Sequence, residues 1–137
     1  MKIEPRRHAR YRQKINYILS ALEEIGQRPS EPQGLLLRGI FYNMVTPIES
    51  AMDIAAMLVR DLGEVPVDDR HNIRILIERG LLDEQLGTNL LRCNALRDVL
   101  VHKYNGIDDE RVLESISEVD SILRAYIRTV GEIIGGP

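Results

Sequence analysis

Arg97, Asp98, His102 and Tyr104 lie in one short run, Arg97-Asp98-Val99-Leu100-Val101-His102-Lys103-Tyr104. A guanidinium keeps its charge at every accessible pH and matches phosphate oxygens in pairs. Histidine is the residue type that exchanges protons near neutrality. A carboxylate four residues before a histidine is within reach along a helix and can orient the imidazole. Charge for a phosphate, together with a proton acceptor and donor, is what RNA cleavage by internal transesterification requires. A structural reading of Arg97 competes. It occupies the apolar stripe between Cys93 and Leu100, where an unpaired charge is costly, so an acidic side chain on a neighbouring helix would also account for it.

Spacing limits what one helix can do with these groups. At about 100° per residue, Arg97 and Tyr104 share a face, whereas His102 lies roughly 140° from Arg97. Either the helix unwinds near His102, or another element or subunit completes the site.

The elements that must position the run are helices. Apolar residues recur in alternating steps of four and three: Tyr11, Ile15, Ile18, Leu22, Ile25, then Leu37, Phe41, Met44, Ile48, Ala51, Ala55, Leu58, Leu62. Leu86, Leu90, Cys93, Leu100 and Val112, Ile116, Val119, Leu123, Tyr126, Val130, Ile133 repeat the pattern. No segment alternates as a strand would. Pro29, Pro32 and Gly34 close the first helix, and the stretch from Gly63 to Asp69 closes the second. A short helix from Asn72 to Arg79 ends at Gly80. Asp83 is placed to cap the next helix, Asn105-Gly106 to end it, and Asp108-Asp109 to open the last. Thr46-Pro47-Ile48-Glu49 reads as a capping box, yet the apolar phase passes through Pro47 unshifted, which argues for one long helix kinked there. The helix bearing Arg97 has Leu90, Leu91, Leu96, Val99, Leu100 and Val101 pointing in many directions, so it should be buried on more than one side. The expectation is an all-α bundle of about five helices in one domain, 1–137.

Composition narrows the function classes. One cysteine, Cys93, excludes an internal disulfide, and it sits where a core residue belongs. His8, His71 and His102 are too scattered for metal-ligand spacing, so neither metal nor cofactor is expected, and His8 and His71 read as surface residues. No apolar run approaches a membrane span and no signal-peptide core is visible, so a cytoplasmic location is expected. Net charge is −3, but residues 1–14 carry +5 and the remainder −8. That basic stretch is either a solvated first helix or a phosphate-contacting arm.

Arg97-x4-His102-x-Tyr104, with a polar residue after the arginine, resembles the motif of HEPN-domain ribonucleases, specifically the HepT-type toxins. With three histidines in the chain, the arginine and histidine spacing alone arises by chance roughly one time in three; adding the residue after the arginine and the tyrosine lowers this to on the order of one in a thousand. Lys14-Ile15-x-Tyr17-Ile18 in the opening helix and Asn105-Gly106-Ile107-Asp108 before the last helix also resemble the family. Asp98 departs from it, since asparagine is commoner there. The resemblance implies a HEPN-type bundle and a metal-independent endoribonuclease working as a homodimer, with both motifs facing a shared cleft. Arg97 would steady the scissile phosphate, His102 would act as general base or acid, and Asp98 and Tyr104 would support them. It also implies an antitoxin partner, a small MNT-type nucleotidyltransferase that adds AMP to Tyr104. The alternative is a non-enzymatic helical subunit that presents substrate to a separate nucleotidyltransferase.

Overall fold

The computed structural model describes residues 1–102 and 106–135. Among these are five helices and no strand: α1 (Pro5–Gly26), α2 (Gly34–Asp61), α3 (Asp69–Glu78), α4 (Glu84–His102) and α5 (Asp109–Gly135). Tyr104 and Asn105 lie outside the described residues. The helices start where the local chemistry favours it. Proline at the first position of α1 has its φ preset and lacks an amide that would have no partner there. The carboxylates of Asp83 and Asp108 accept from the amides of Leu86 (2.7 Å) and Arg111 (3.3 Å), capping α4 and α5 as expected. Asp68 caps α3 the same way, through the amide of His71, so that helix begins earlier than Asn72.

Helix α2 is the element around which the others pack, touching all four. It runs unbroken through Pro47, in agreement with the uninterrupted apolar phase. Proline there withholds the amide that would bond the Asn43 carbonyl, and its ring presses on that carbonyl, the usual origin of a helix kink. Ile48, Ala51, Ile54, Ala55, Leu58 and Val59 of α2 are fully buried against Ile18 of α1, Ile73 and Leu76 of α3, Leu90 of α4, and Leu123 and Tyr126 of α5. The Tyr126 hydroxyl donates to the Ala51 carbonyl at 3.0 Å, and burial pushes that phenol well above the usual tyrosine range.

Polar contacts set the direction of α1. Arg7 pairs with Asp61 (2.6 Å), Lys14 with Asp53 (2.8 Å), and Asn43 donates to Glu24 (3.1 Å), so α1 lies antiparallel to α2. Tyr11, buried in the same interface, also donates to Asp61. His71 is exposed, as expected, but His8 is not a free surface residue. It is half-buried, and its Nε2 lies 2.5 Å from the Ile134 carbonyl oxygen, tying the start of α1 to the end of α5. The register of α1 brings this about, and it could not be foreseen from a lone histidine near the chain start.

Gly87 lets α4 approach α3 closely. A Cβ there would meet the Ile77 side chain, its Cγ1 at 2.8 Å, so any larger residue forces the two helices apart or repositions Ile77. Among the described residues no helix is long and apolar enough to cross a membrane.

Cys93 lies in the core as expected, 3% exposed. Burial pushes its thiol up to about 12, with the Glu118 charge acting the same way and Arg92 opposing both. The folded chain therefore holds the neutral thiol, while the unfolded chain begins to ionise it at mildly alkaline pH. Labelling with a thiol-specific disulfide reagent at pH about 8 should be slower than in denaturant by at least about a hundredfold. Comparable rates folded and unfolded would contradict this placement.

Candidate active site

Arg97 sits four turns into α4, where the close α3–α4 contact turns it toward both α2 and α3. Its side chain is 20% exposed and is surrounded by three carboxylates: Asp98 of its own helix at 3.0 Å, Asp69 of α3 at 3.8 Å and Glu49 of α2 at 3.9 Å. Asp69 also accepts from Asn94, one turn before Arg97, at 3.2 Å. These are ion pairs rather than a saturated hydrogen-bond set, and the buried Nε of Arg97 has no hydrogen-bond partner among the described residues. The acid expected from a neighbouring helix is therefore present twice, as Asp69 of α3 and Glu49 of α2. Glu49 and Asp69 were not identified from sequence. Their only signal was that an arginine on an apolar stripe needs acids from other helices, and the pattern did not say which.

Asp98 faces Arg97. Among the described residues the imidazole of His102 has no hydrogen bond or ion pair, so the structure does not place Asp98 behind it as an orienting carboxylate. Helix α4 stays helical through His102, which is exposed in its last turn. Unwinding before His102 is thereby excluded as the way to bring it to Arg97. Within this chain Arg97 points inward to α2 and α3 while His102 points to solvent. Tyr104 falls outside the described residues.

A groove of about 920 Å³ opens beside the end of α4. Leu37, Phe41, Tyr42 and Val45 of α2 form one wall, Leu100 and Val101 of α4 the other, with Ile107 and Asp109 at its end. Glu49 belongs to both the groove lining and the Arg97 cluster, so the two are continuous. The expectation that α4 is buried on several sides holds only in part. Leu86, Leu90, Cys93 and Leu100 are in the core, whereas Val99 and Val101 are exposed at 36% and 40%. Tyr42, across the groove, is 66% exposed.

Comparison with known proteins decides the class of chemistry. The family described as "HepT-like: Ribonuclease HepT-like" matches residues 11–130, a stretch that contains Arg97, His102 and Tyr104. The chain belongs to the HepT-like ribonuclease family. An Archaeoglobus fulgidus protein named "Putative RNase" is 48% identical over 128 residues, covering 93% of this chain and 96% of that protein. A second protein of that organism, with the same name, is 30% identical over 90% of this chain and 93% of its own length. Among solved structures, one described as a toxin–antitoxin with AMP-PNP aligns with a TM-score of 0.81 at 20% identity, over 88% of this chain and 96% of that one. The tri-AMPylated HEPN toxin of Shewanella oneidensis, in complex with MNT antitoxin, aligns at 0.78 and 21% identity, over 88% and 95%. At such identities these likenesses establish the HEPN fold. The ribonuclease assignment comes from the family match and the closer relatives.

In this HepT-like ribonuclease the two candidate residues should differ in structural weight. Removing the Arg97 guanidinium leaves three carboxylates facing one another, two of them about half-exposed. Arg97→Ala should lose about 1–2 kcal/mol of unfolding free energy, and less in high salt, where their repulsion is screened. His102→Ala, at an exposed helix end, should stay within about 0.5 kcal/mol of wild type. Urea denaturation at two salt concentrations measures both, and an Arg97→Ala loss that salt does not reduce would speak against the carboxylate cage.

Proposed function

We propose that the chain, working as one helical domain, is the endoribonuclease toxin of a toxin–antitoxin pair, cutting RNA without metal through Arg97 and His102. The observation that carries this reading is the intact Arg97-x4-His102-x-Tyr104 motif within the family-matched residues, with Arg97 and His102 in the last two turns of α4, whose Leu100 and Val101 line the groove. Arg97 steadies the scissile phosphate, its Asp98 and Asp69 pairs loosening as the phosphate oxygens take their place. His102 takes the proton from the ribose 2′-OH as that oxygen attacks phosphorus. The 5′-oxygen of the next nucleotide leaves and takes up a proton, giving a 2′,3′-cyclic phosphate and a 5′-hydroxyl. Arg97 and His102 diverge within one chain, so the reading includes a homodimer in which α4 of two copies meets across Val99 and Val101, and one copy's His102 serves the cleft beside the other's Arg97.

The same reading includes control by a nucleotidyltransferase antitoxin of MNT type. The Shewanella fold neighbour, an AMPylated toxin held with an MNT antitoxin, supports it. The Tyr104 phenol oxygen attacks the α-phosphorus of ATP, pyrophosphate leaves, and the phenolic proton passes to a base. The resulting phosphodiester places negative charge where an RNA phosphate would otherwise bind.

Cleavage of RNA in EDTA should proceed with wild type and fall at least about a hundredfold in His102→Ala and in Arg97→Ala. A 2′-deoxy substitution at the scissile nucleotide should block it. Loss of wild-type cleavage in EDTA, or full activity of either variant, rejects the mechanism.

Intact-mass spectrometry after co-expression with an MNT-type nucleotidyltransferase should show AMP-sized additions that disappear in Tyr104→Phe. An adduct retained in Tyr104→Phe, or a modified chain that cuts RNA at the unmodified rate, would contradict the proposed control.

A further inference from the structure

The cations of this chain are placed unevenly, and the fold gives that imbalance a location. Lys2, Arg6, Arg10 and Arg12 are exposed, and among the described residues none of them forms an ion pair with a carboxylate. Arg97, by contrast, is outnumbered by Glu49, Asp69 and Asp98. A polyanion approaching that cluster meets net negative charge, whereas binding of a nucleic-acid strand rests on cations that replace its counterions.

Two ion pairs locate α1 relative to the cluster. Glu49 and Asp53 are exposed and one turn apart on α2. Glu49 reaches Arg97 of α4 at 3.9 Å, and Asp53 reaches Lys14 of α1 at 2.8 Å. The edge of α1 that carries Lys14 and the edge of α4 that carries Arg97 therefore flank the same solvent-facing strip of α2. Arg10 lies one turn before Lys14 and Arg6 one turn before Arg10, at steps of about 6 Å along the axis. Tyr17, three residues after Lys14 and 45% exposed, continues that edge and offers a ring face. The only acid in residues 1–14 is Glu4.

We propose that Arg6, Arg10 and Tyr17 form a second nucleic-acid surface that holds the RNA strand flanking the cleaved bond. The arginines take successive phosphates and Tyr17 stacks on a base, as in single-strand binding generally. The identity of the strand rests on the ribonuclease reading; the surface itself rests on charge and placement. Regular cation spacing ending in an exposed aromatic favours a nucleic-acid strand over an acidic protein.

The test uses the full chain carrying His102→Ala, so that RNA is bound and not cut, with a fluorescent single-stranded RNA followed by anisotropy over a range of salt. The Arg6→Gln, Arg10→Gln double variant should bind about fivefold or more weakly, and its log-affinity slope against log salt should flatten by about 1.4. Tyr17→Ala should weaken binding about tenfold with the slope retained. With His102 intact, the double variant should raise KM and leave kcat unchanged; circular dichroism confirms the fold. Unchanged affinity and slope in the double variant overturn the proposal. So does retained RNA affinity with lost capture of the co-expressed nucleotidyltransferase, which would assign the surface to a protein. RNA that binds through these arginines but is never cut would overturn the ribonuclease reading and leave the surface standing.

Discussion

Helix α2 is buried over most of its circumference, yet a strip containing Tyr42, Glu49 and Asp53 stays in solvent. That division follows from packing four helices around one. Each neighbour covers an arc of α2, and α1 and α4 leave a gap between them. The gap has a floor of α2 side chains and walls supplied by two different helices. Because the floor carries carboxylates, it draws Lys14 and Arg97 toward it and fixes the edges of the cleft electrostatically as well as sterically.

The same constraint explains the environment of Arg97. Gly87 permits α4 to lie close on α3, and with α2 on the other side the guanidinium meets acids from both. The half-buried charge is stabilised by more negative charge than it carries, at distances mostly beyond hydrogen bonding. Such a cluster holds an arginine in place while leaving its donors incompletely used. A well-packed bidentate pair would resist the exchange of carboxylate for phosphate that the proposed chemistry needs.

His102 is held differently. It ends its helix, is exposed, and faces away from the group it is proposed to act with. The apolar residues flanking it, Val99 and Val101, are also in solvent. A helix that is apolar on more sides than its own bundle covers, with a catalytic candidate at its tip, leaves a surface that a second copy would cover.

Local chemistry made much of this legible in the sequence. The apolar steps of four and three set the helices, Asp83 and Asp108 their caps, and the unshifted phase through Pro47 the continuity of α2, since each depends on neighbours within a turn or two. The same phase put Cys93 in the core and showed Arg97 to be out of place on its stripe. The arginine, histidine and tyrosine of the motif, one turn or two apart, were enough to suggest the family. What depended on long-range packing was not legible. Which acids surround Arg97, that Asp98 turns to it rather than to His102, and that His8 reaches the far end of the chain all follow from the angles at which helices cross. That α1's basic edge and Arg97 share one strip of α2 has the same origin. Those angles are set by side-chain volumes at contacts such as Gly87 with Ile77, between residues that only the folded chain brings together.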